Sequence, residues 1–418
     1  MSTVSADSRL APQSHSEQRR TASLLSMGWL LTWMALWTPS LPLNLYLKNT
    51  LHLGAGAIAA FGLVAGFASY VKPIAGLLSD NLTLFGTRRK HYLLLSTLLG
   101  GICWLLVGVL PKTYSVLLFM QAMIMAMVMV ASTALGGLLV DSGKRNNTVG
   151  RLSSQRYGIN NLTTLIVGPL GGYLASRTFG LTIGICAACL ILLAPLVALF
   201  LHEERTEPNA RSKSGSWSNV GQQLKNTLAS RPLWWGLAMC CLLNIAPGFG
   251  TPLLFYQQDT LKFTPQFMGN LSILSGGSGL IAAALYFRFC SRVTLRRLLT
   301  LGIALSVIGT LFYLFYQSTL TAALIEISTG FVSTLAILPL WNLCGRATPR
   351  GNEALGYSLM MSVCNLMAAL SNTLGSWFFE HLHWNFKNLV WLNAGTTALV
   401  LLIVPLLPAT LMDPRDGD

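Results

Sequence analysis

Charge is what this sequence has least of. Only 10% of its 418 residues are Asp, Glu, Lys or Arg, against about a quarter in soluble proteins. A soluble chain of this length would need a polar shell around its core, and there are too few charges to make one. Acidic residues are scarcer still: 14 Asp and Glu stand against 28 Lys and Arg. Histidine is rare, at six residues, and the pair His381 and His383 is a poor start for a metal site. No clustered His, Cys, Asp and Glu suggest metal binding, and no nucleophile–base spacing suggests covalent catalysis. The glycines Gly276, Gly277 and Gly279 lack a Walker lysine, which excludes a nucleotide-binding loop there. Of the eight cysteines, Cys186 and Cys189 form a CxxC, but it lies inside GICAACLILL, where thiols pack rather than react. No cofactor and no metal are expected.

Hydrophobic residues are what the sequence has instead, at 53%. A bilayer-spanning helix needs about 20 mostly apolar residues. Such segments fall at 24–46, 56–79, 91–110, 115–140, 152–174, 178–201, 233–256, 266–288, 296–315, 319–342, 355–379 and 389–410. The first is too long for a signal-peptide core and lacks a clear cleavage site, so it reads as a retained helix. Lipid is therefore the expected surrounding, in a multi-pass protein of the cell (inner) membrane.

The net charge of +14 could suggest a nucleic-acid partner, but its distribution gives another cause. With the N-terminus inside, the inner loops hold 22 of the 28 Lys and Arg, including Arg19, Arg20, Arg88, Arg89, Lys90, Arg151, Arg156 and Arg288. The outer loops hold Lys48, Lys112, Arg177, Lys262 and Lys387. That bias is the positive-inside rule, and no nucleic acid is needed. The longest polar stretch between spans, 202–231, divides them six and six, with a short amphipathic helix expected near 217–229. The expected organisation is an N-terminal cytoplasmic segment 1–21, a bundle 22–201, a linker 202–231, a second bundle 232–411 and a tail 412–418. Two six-helix halves in a parallel repeat resemble the major facilitator architecture, an all-α fold with both termini cytoplasmic.

The strongest local motif is GLLSDNLTLFGTRRK, residues 76–90. Gly76 lets a helix pack closely, Asp80 sits at its inner end, Gly86 allows a tight turn, and Arg88, Arg89 and Lys90 supply cations. Such a set can act as a charge latch that breaks and re-forms as two halves rock. Asp141 and Glu353 are further candidates for it. The spacing resembles the major facilitator loop motif with a longer spacer. KPIAGLLSDNLTLFGTRRKHYLLL (72–95), NIAPGFGTPLLFYQQDTLKFTPQFMGNL (244–271) and ATPRGNEALGYSLMMSVCNLMAALSNTLGS (347–376) resemble the folate-biopterin transporter family, over most of residues 40–380. That resemblance implies a carrier for a folate- or pterin-like anion. Two positions depart from the family pattern: Gly136 stands where an acid is usual, and Asn161 where an Arg is common.

Lys72 is the cation inside an apolar segment, at a cost of about 2.5–3.5 kcal/mol on insertion scales. It must face a cavity or a partner, and an anionic substrate is the functional reading. The structural alternative is an ion pair with Asp80. Glu326 is its counterpart in the second half. A carboxyl group isolated in apolar surroundings can carry a proton, so Glu326 is the candidate for proton coupling, as in a symporter. Trp37, Gln121, Asn160, Asn161, Asn244, Tyr256 and Asn365 are candidate substrate contacts, with Asn44, Asn270 and Asn372 as further polar groups. Apolar walls with a few polar groups suit a small-molecule site. The expected function is secondary transport of a small solute by alternating access, by a monomer and without enzymatic activity. Carriers of muropeptides, sugars or drug-like compounds are the alternatives. A receptor or scaffold on a transporter fold is the alternative from another class.

Overall fold

The computed structural model describes residues 15–74, 87, 89–146, 149–201, 217–290, 292–349 and 353–412. The N-terminal half contains α1 (His15–Trp37), α2 (Ser40–Asn49), α3 (Ala55–Ala65), α4 (Phe67–Tyr70), α5 (Lys90–Val109), α6 (Tyr114–Asn146), α7 (Val149–Ala175) and α8 (Phe179–Phe200). A linker helix, α9 (Trp217–Leu228), lies where the amphipathic segment is expected. The C-terminal half contains α10 (Arg231–Asn244), α11 (Gly250–Phe255), a π turn (Tyr256–Thr260), α12 (Pro265–Phe289), α13 (Leu295–Phe312), α14 (Thr319–Ala347), α15 (Glu353–His381) and α16 (Phe386–Val400).

Seven of the described helices are long and apolar enough to cross a membrane alone. Of the other five expected spans, the fifth and eleventh are single long helices, and the first, second and seventh are broken. The first starts earlier than expected, at His15, and stops at Trp37. Pro39 then removes a backbone donor before α2 begins. The second breaks at Gly66, and the rest of the motif from 75 to 86 lies outside the described residues. The seventh breaks at Ile245–Phe249 around Pro247. Open backbone at that depth must be satisfied by the protein. Here Ser371 Oγ donates to the Ala246 carbonyl (2.5 Å), Asn393 Nδ2 donates to that of Pro247 (3.0 Å), and Gly248 N–H donates to that of Ser371 (2.9 Å).

The repeat is visible at atomic level. Tyr46–Leu53 (YLKNTLHL) and Tyr256–Phe263 (YQQDTLKF) end their helices in the same way. Leu51 N–H reaches the Tyr46 carbonyl and Leu53 N–H that of Leu47. Leu261 and Phe263 do the same with Tyr256 and Gln257. His52 and Lys262 then turn the chain with φ of 54° and 55°. Tyr46 stacks on Phe179 at 4.7 Å, and Tyr256 on Phe386 at 4.8 Å, each at the start of its half's last helix.

The halves join mainly along α7 against α12 and α3 against α15. At the first seam a Cβ on Gly269 would meet the Gly168 carbonyl and come within 2.7 Å of Gly172 Cα. Small residues are what let two backbones approach this closely in lipid. Leu45 completes an apolar cluster with Leu254, Phe263 and Met268 across the same end. Overpacking costs about 1–3 kcal/mol, so Gly269→Leu is expected to shift the molecule at least roughly fivefold toward an outward-open state. In a background without native cysteines, Thr164→Cys should then react faster with an impermeant thiol reagent added outside. An unchanged rate would count against this seam as the closed side.

Candidate functional site

An open cavity of about 490 Å³ lies along the α7–α12 seam. That lies within the usual range for small-molecule sites, roughly 300–1,000 Å³. Both halves line it: Trp37, Asn44, Asn160 and Thr164 from the first, Gln257 and Ser272 from the second. On α7 the lining residues Asn160, Thr164, Gly168 and Gly171 follow helical spacing, so they share one face. Arg156 continues that face one turn toward the basic, inner end.

A second stripe runs beside it. Trp29, Trp33 and Trp37 recur at four-residue intervals on α1. Trp29 and Trp33 are in ring contact at 4.8 Å. The Arg156 guanidinium lies 4.3 Å from the Trp29 ring and 5.9 Å from Trp33. Cation–π contacts of this kind contribute about 0.5–2 kcal/mol. They place the guanidinium against the indoles, and among the described residues no hydrogen bond uses its N–H groups, which can therefore serve an anion. Lys72 lies within Coulombic reach of Arg156, as does Tyr357 of the other half. Lys72 Nζ donates to Ser132 Oγ at 3.3 Å. Neither cation has an acidic partner among the described residues, and Asp80, the alternative partner of Lys72, lies outside them.

Glu326 is not brought to these cations. It sits near the outer end of α14, where Tyr313 Oη donates to its Oε1 at 3.4 Å. Tyr313 stacks on Tyr316 at 5.5 Å, and Gln257 Nε2 donates to Tyr316 Oη at 2.6 Å. The acid thus connects through two tyrosines to a residue of the cavity wall.

The remaining expected contacts are scattered. Tyr256 packs on Phe386 inside the C-terminal half, the same task its repeat partner Tyr46 performs. Asn244 donates to the Cys240 carbonyl at 2.8 Å, inside its own helix. Gln121 and Asn161 are half-buried and Asn365 is exposed, and none of them lines the cavity. In the latch set, Arg89 Nε pairs with Asp141 Oδ2 at 3.4 Å, and Lys90 Nζ donates to the Ala198 carbonyl at 3.2 Å, both within the N-terminal half. Gly76, Asp80, Gly86, Arg88 and the Glu353 side chain lie outside the described residues.

Two groups that the charge pattern assigned to loops stand inside helices. Arg156 faces the tryptophans from the second turn of α7. Lys48 is buried at the end of α2, its ammonium 2.5 Å from Asp259 Oδ1, 2.9 Å from Gln258 Oε1 and 4.3 Å from the Phe255 ring. Gln258 Nε2 in turn donates to Asn49 Oδ1 at 3.1 Å. Residues 48 and 49 of one repeat thus meet 258 and 259 of the other at the outer end. Beside them the Glu380 carboxylate accepts from Gly56 N–H at 2.5 Å, capping α3 from across the seam. These contacts join the two halves at this end. The sequence carries two indirect signals near these groups, the four-residue spacing of the tryptophans and the echo between YLKNTLHL and YQQDTLKF, which the charge pattern does not use.

Residues 34–416 match the BT1 family. The folate-biopterin transporter of Synechocystis sp. is 27% identical over 411 residues, covering 90% of this chain and 79% of that one. Folate transporter 1 of Plasmodium falciparum is 24% identical over 365 residues, covering 82% and 70%. Among solved structures, a nucleoside transporter NupG mutant superposes with a TM-score of 0.71 at 14% identity, covering 93% of this chain and 99% of that one. A peptide transporter POT mutant gives 0.71 at 13%, covering 97% and 98%. At such identity these two show the fold alone, that of major facilitator transporters.

If the Lys48–Asp259 contact closes the outer side, Lys48→Asp and Asp259→Lys should each cut transport several-fold through like-charge repulsion. The swapped double variant should recover most of it. A double variant as impaired as the worse single one would remove the contact from the gate.

Proposed function

The chain belongs to the BT1 family, and from that premise we propose that it carries a folate- or pterin-like organic anion across the cell membrane by alternating access. It is a multi-pass transporter of a small-molecule substrate, not an enzyme. The observation that carries the substrate class is the tryptophan stripe ending at Arg156 beside Lys72. Trp29 is buried and anchors Arg156, so the rings open to a solute are the half-buried Trp33 and the exposed Trp37, about 6 Å apart along the helix at 1.5 Å per residue. A flat heterocycle stacks on indole faces, and a carboxylate at its far end meets a guanidinium whose N–H groups no described hydrogen bond uses. A neutral sugar would leave both cations without a counter-charge in a low-dielectric setting.

Glu326 is the proton-coupling group in this reading. It is an acid set inside α14, and it is hydrogen-bonded to Tyr313 rather than to a cation. Its charge state alters the tyrosine pair that holds Gln257 in the cavity wall. The proposed functional unit is a monomer, since alternating access of this kind runs between two halves of one chain.

The test is uptake of labelled folates and pterins into cells expressing the protein, with and without a proton gradient. Lys72→Met should abolish uptake while surface expression stays intact. Arg156→Gln should raise the half-saturating concentration about tenfold or more, the loss of one charge-assisted hydrogen bond of about 1.5–3 kcal/mol. Glu326→Gln should lose gradient-driven accumulation yet keep substrate exchange. Absence of signal for every pteridine would sink the substrate class. Transport indifferent to the gradient in the wild type would sink the role of Glu326.

A further inference from the structure

A second cavity, about 820 Å³, opens between α1 and α7 at the basic end of the N-terminal half. It is separate from the seam, and the proposed transport does not use it. Both helices run outward from the basic face, so their residues can be compared level by level. Arg19 and Arg151 stand at the mouth, both exposed. One to two turns deeper, Gln155 donates to Ser26 Oγ and, at 3.3 Å, to the Ala22 carbonyl. Deeper again, Leu30 and the half-exposed Leu162 line apolar walls. From Arg19 to Leu30 and from Arg151 to Leu162 the rise is about 16 Å on each helix. The two walls therefore pass from cationic through polar to apolar in the same register.

That order is the order of a phospholipid in one leaflet: anionic phosphate, ester region, acyl chain. The described ion pairs, Lys48–Asp259 and Arg89–Asp141, leave both mouth arginines uncompensated. Glu17 lies two residues before Arg19 and so projects from another side of α1. Basic pockets between transmembrane helices at this level bind anionic headgroups.

We propose that the α1–α7 groove is a binding site for one anionic phospholipid of the inner leaflet. Its phosphate sits between Arg19 and Arg151, and one acyl chain lies along Leu30 and Leu162. Occupancy would brace α1 against α7, the two helices that carry the tryptophan stripe and Arg156.

The purified full chain would be reconstituted with phosphatidylcholine alone or mixed with phosphatidylglycerol, washed in detergent, and its retained lipid counted by mass spectrometry. Wild type should retain phosphatidylglycerol in preference and gain thermal stability from it. Arg19→Gln/Arg151→Gln should weaken that preference about thirtyfold, the conversion of about 1 kcal/mol for each cation. Arg288→Gln/Arg292→Gln, which removes basic residues elsewhere, should leave it intact. Leu162→Trp, which fills the deep wall and keeps both arginines, should also lower retention. Soluble glycerol phosphate should give no stabilisation. Equal stabilisation by it would make this a free phosphoanion site and overturn the lipid. No preference in wild type, or an undiminished preference in the double arginine variant, would overturn the site altogether.

Discussion

Two copies of one helix ending meet at the outer face, and the closed state depends on the contact between them. The shared backbone of Tyr46–Leu53 and Tyr256–Phe263 sets the two endings in equivalent positions. The side chains make them complementary: Lys48 and Asn49 on one, Gln258 and Asp259 on the other. A symmetric pair of identical endings would place like groups opposite each other. The substitution of charge within the repeat turns that clash into attraction. Lys48 is 8% exposed but Asp259 is 59% exposed. A fully buried pair costs about 3–5 kcal/mol to break by removing a partner, and a fully exposed one contributes about 0–1 kcal/mol. A half-exposed pair falls between, strong enough to favour closure and weak enough to open.

The same repeat explains which polar residues carry chemistry and which only pack. Tyr256 has a family-like setting and an aromatic ring, but its twin Tyr46 stacks in the same way on the equivalent Phe. A task performed identically in both halves belongs to the scaffold. Function is to be sought where twins diverge. Leu47 is fully buried in the first half; its twin Gln257 lines the cavity and holds Tyr316. The cations Lys72 and Arg156 stand in one half and Glu326 in the other.

Much of the fold was legible in the sequence, because lipid imposes two constraints that leave plain marks. Long apolar runs located the spans, and the basic loops divided them and gave a direction. The breaks at Pro39, Gly66 and Pro247 were harder to see. Proline and glycine are common in membrane helices, and nothing local says which of them interrupts a helix. It is the tertiary partners Ser371 and Asn393 that make the Pro247 break affordable. The site was less legible. Lys72 was marked by its cost, but Arg156 and Lys48 lie close to span ends, where a cation looks like a topology signal. The ring contacts of Arg156 and the burial of Lys48 arise only when α1 meets α7 and α2 meets α11.

The π turn ties these parts together. A π turn adds a residue to the helical turn and so re-aims the side chains that follow it. Within Tyr256–Thr260, Gln257 faces the cavity and Tyr316, while Gln258 and Asp259 face Lys48 and Asn49. A solute against Gln257 therefore presses on the segment that holds the outer contact. If Glu326 is the coupling group proposed above, a proton on it acts on the same segment through Tyr313 and Tyr316. Neither signal has to travel across the molecule, because cavity wall, acid network and outer contact share one turn of backbone. Coupling of this sort needs a local element with two arrangements that both ligands bias. A short turn with non-α hydrogen bonding, packed between the two halves, has the freedom to supply them where a regular helix would not.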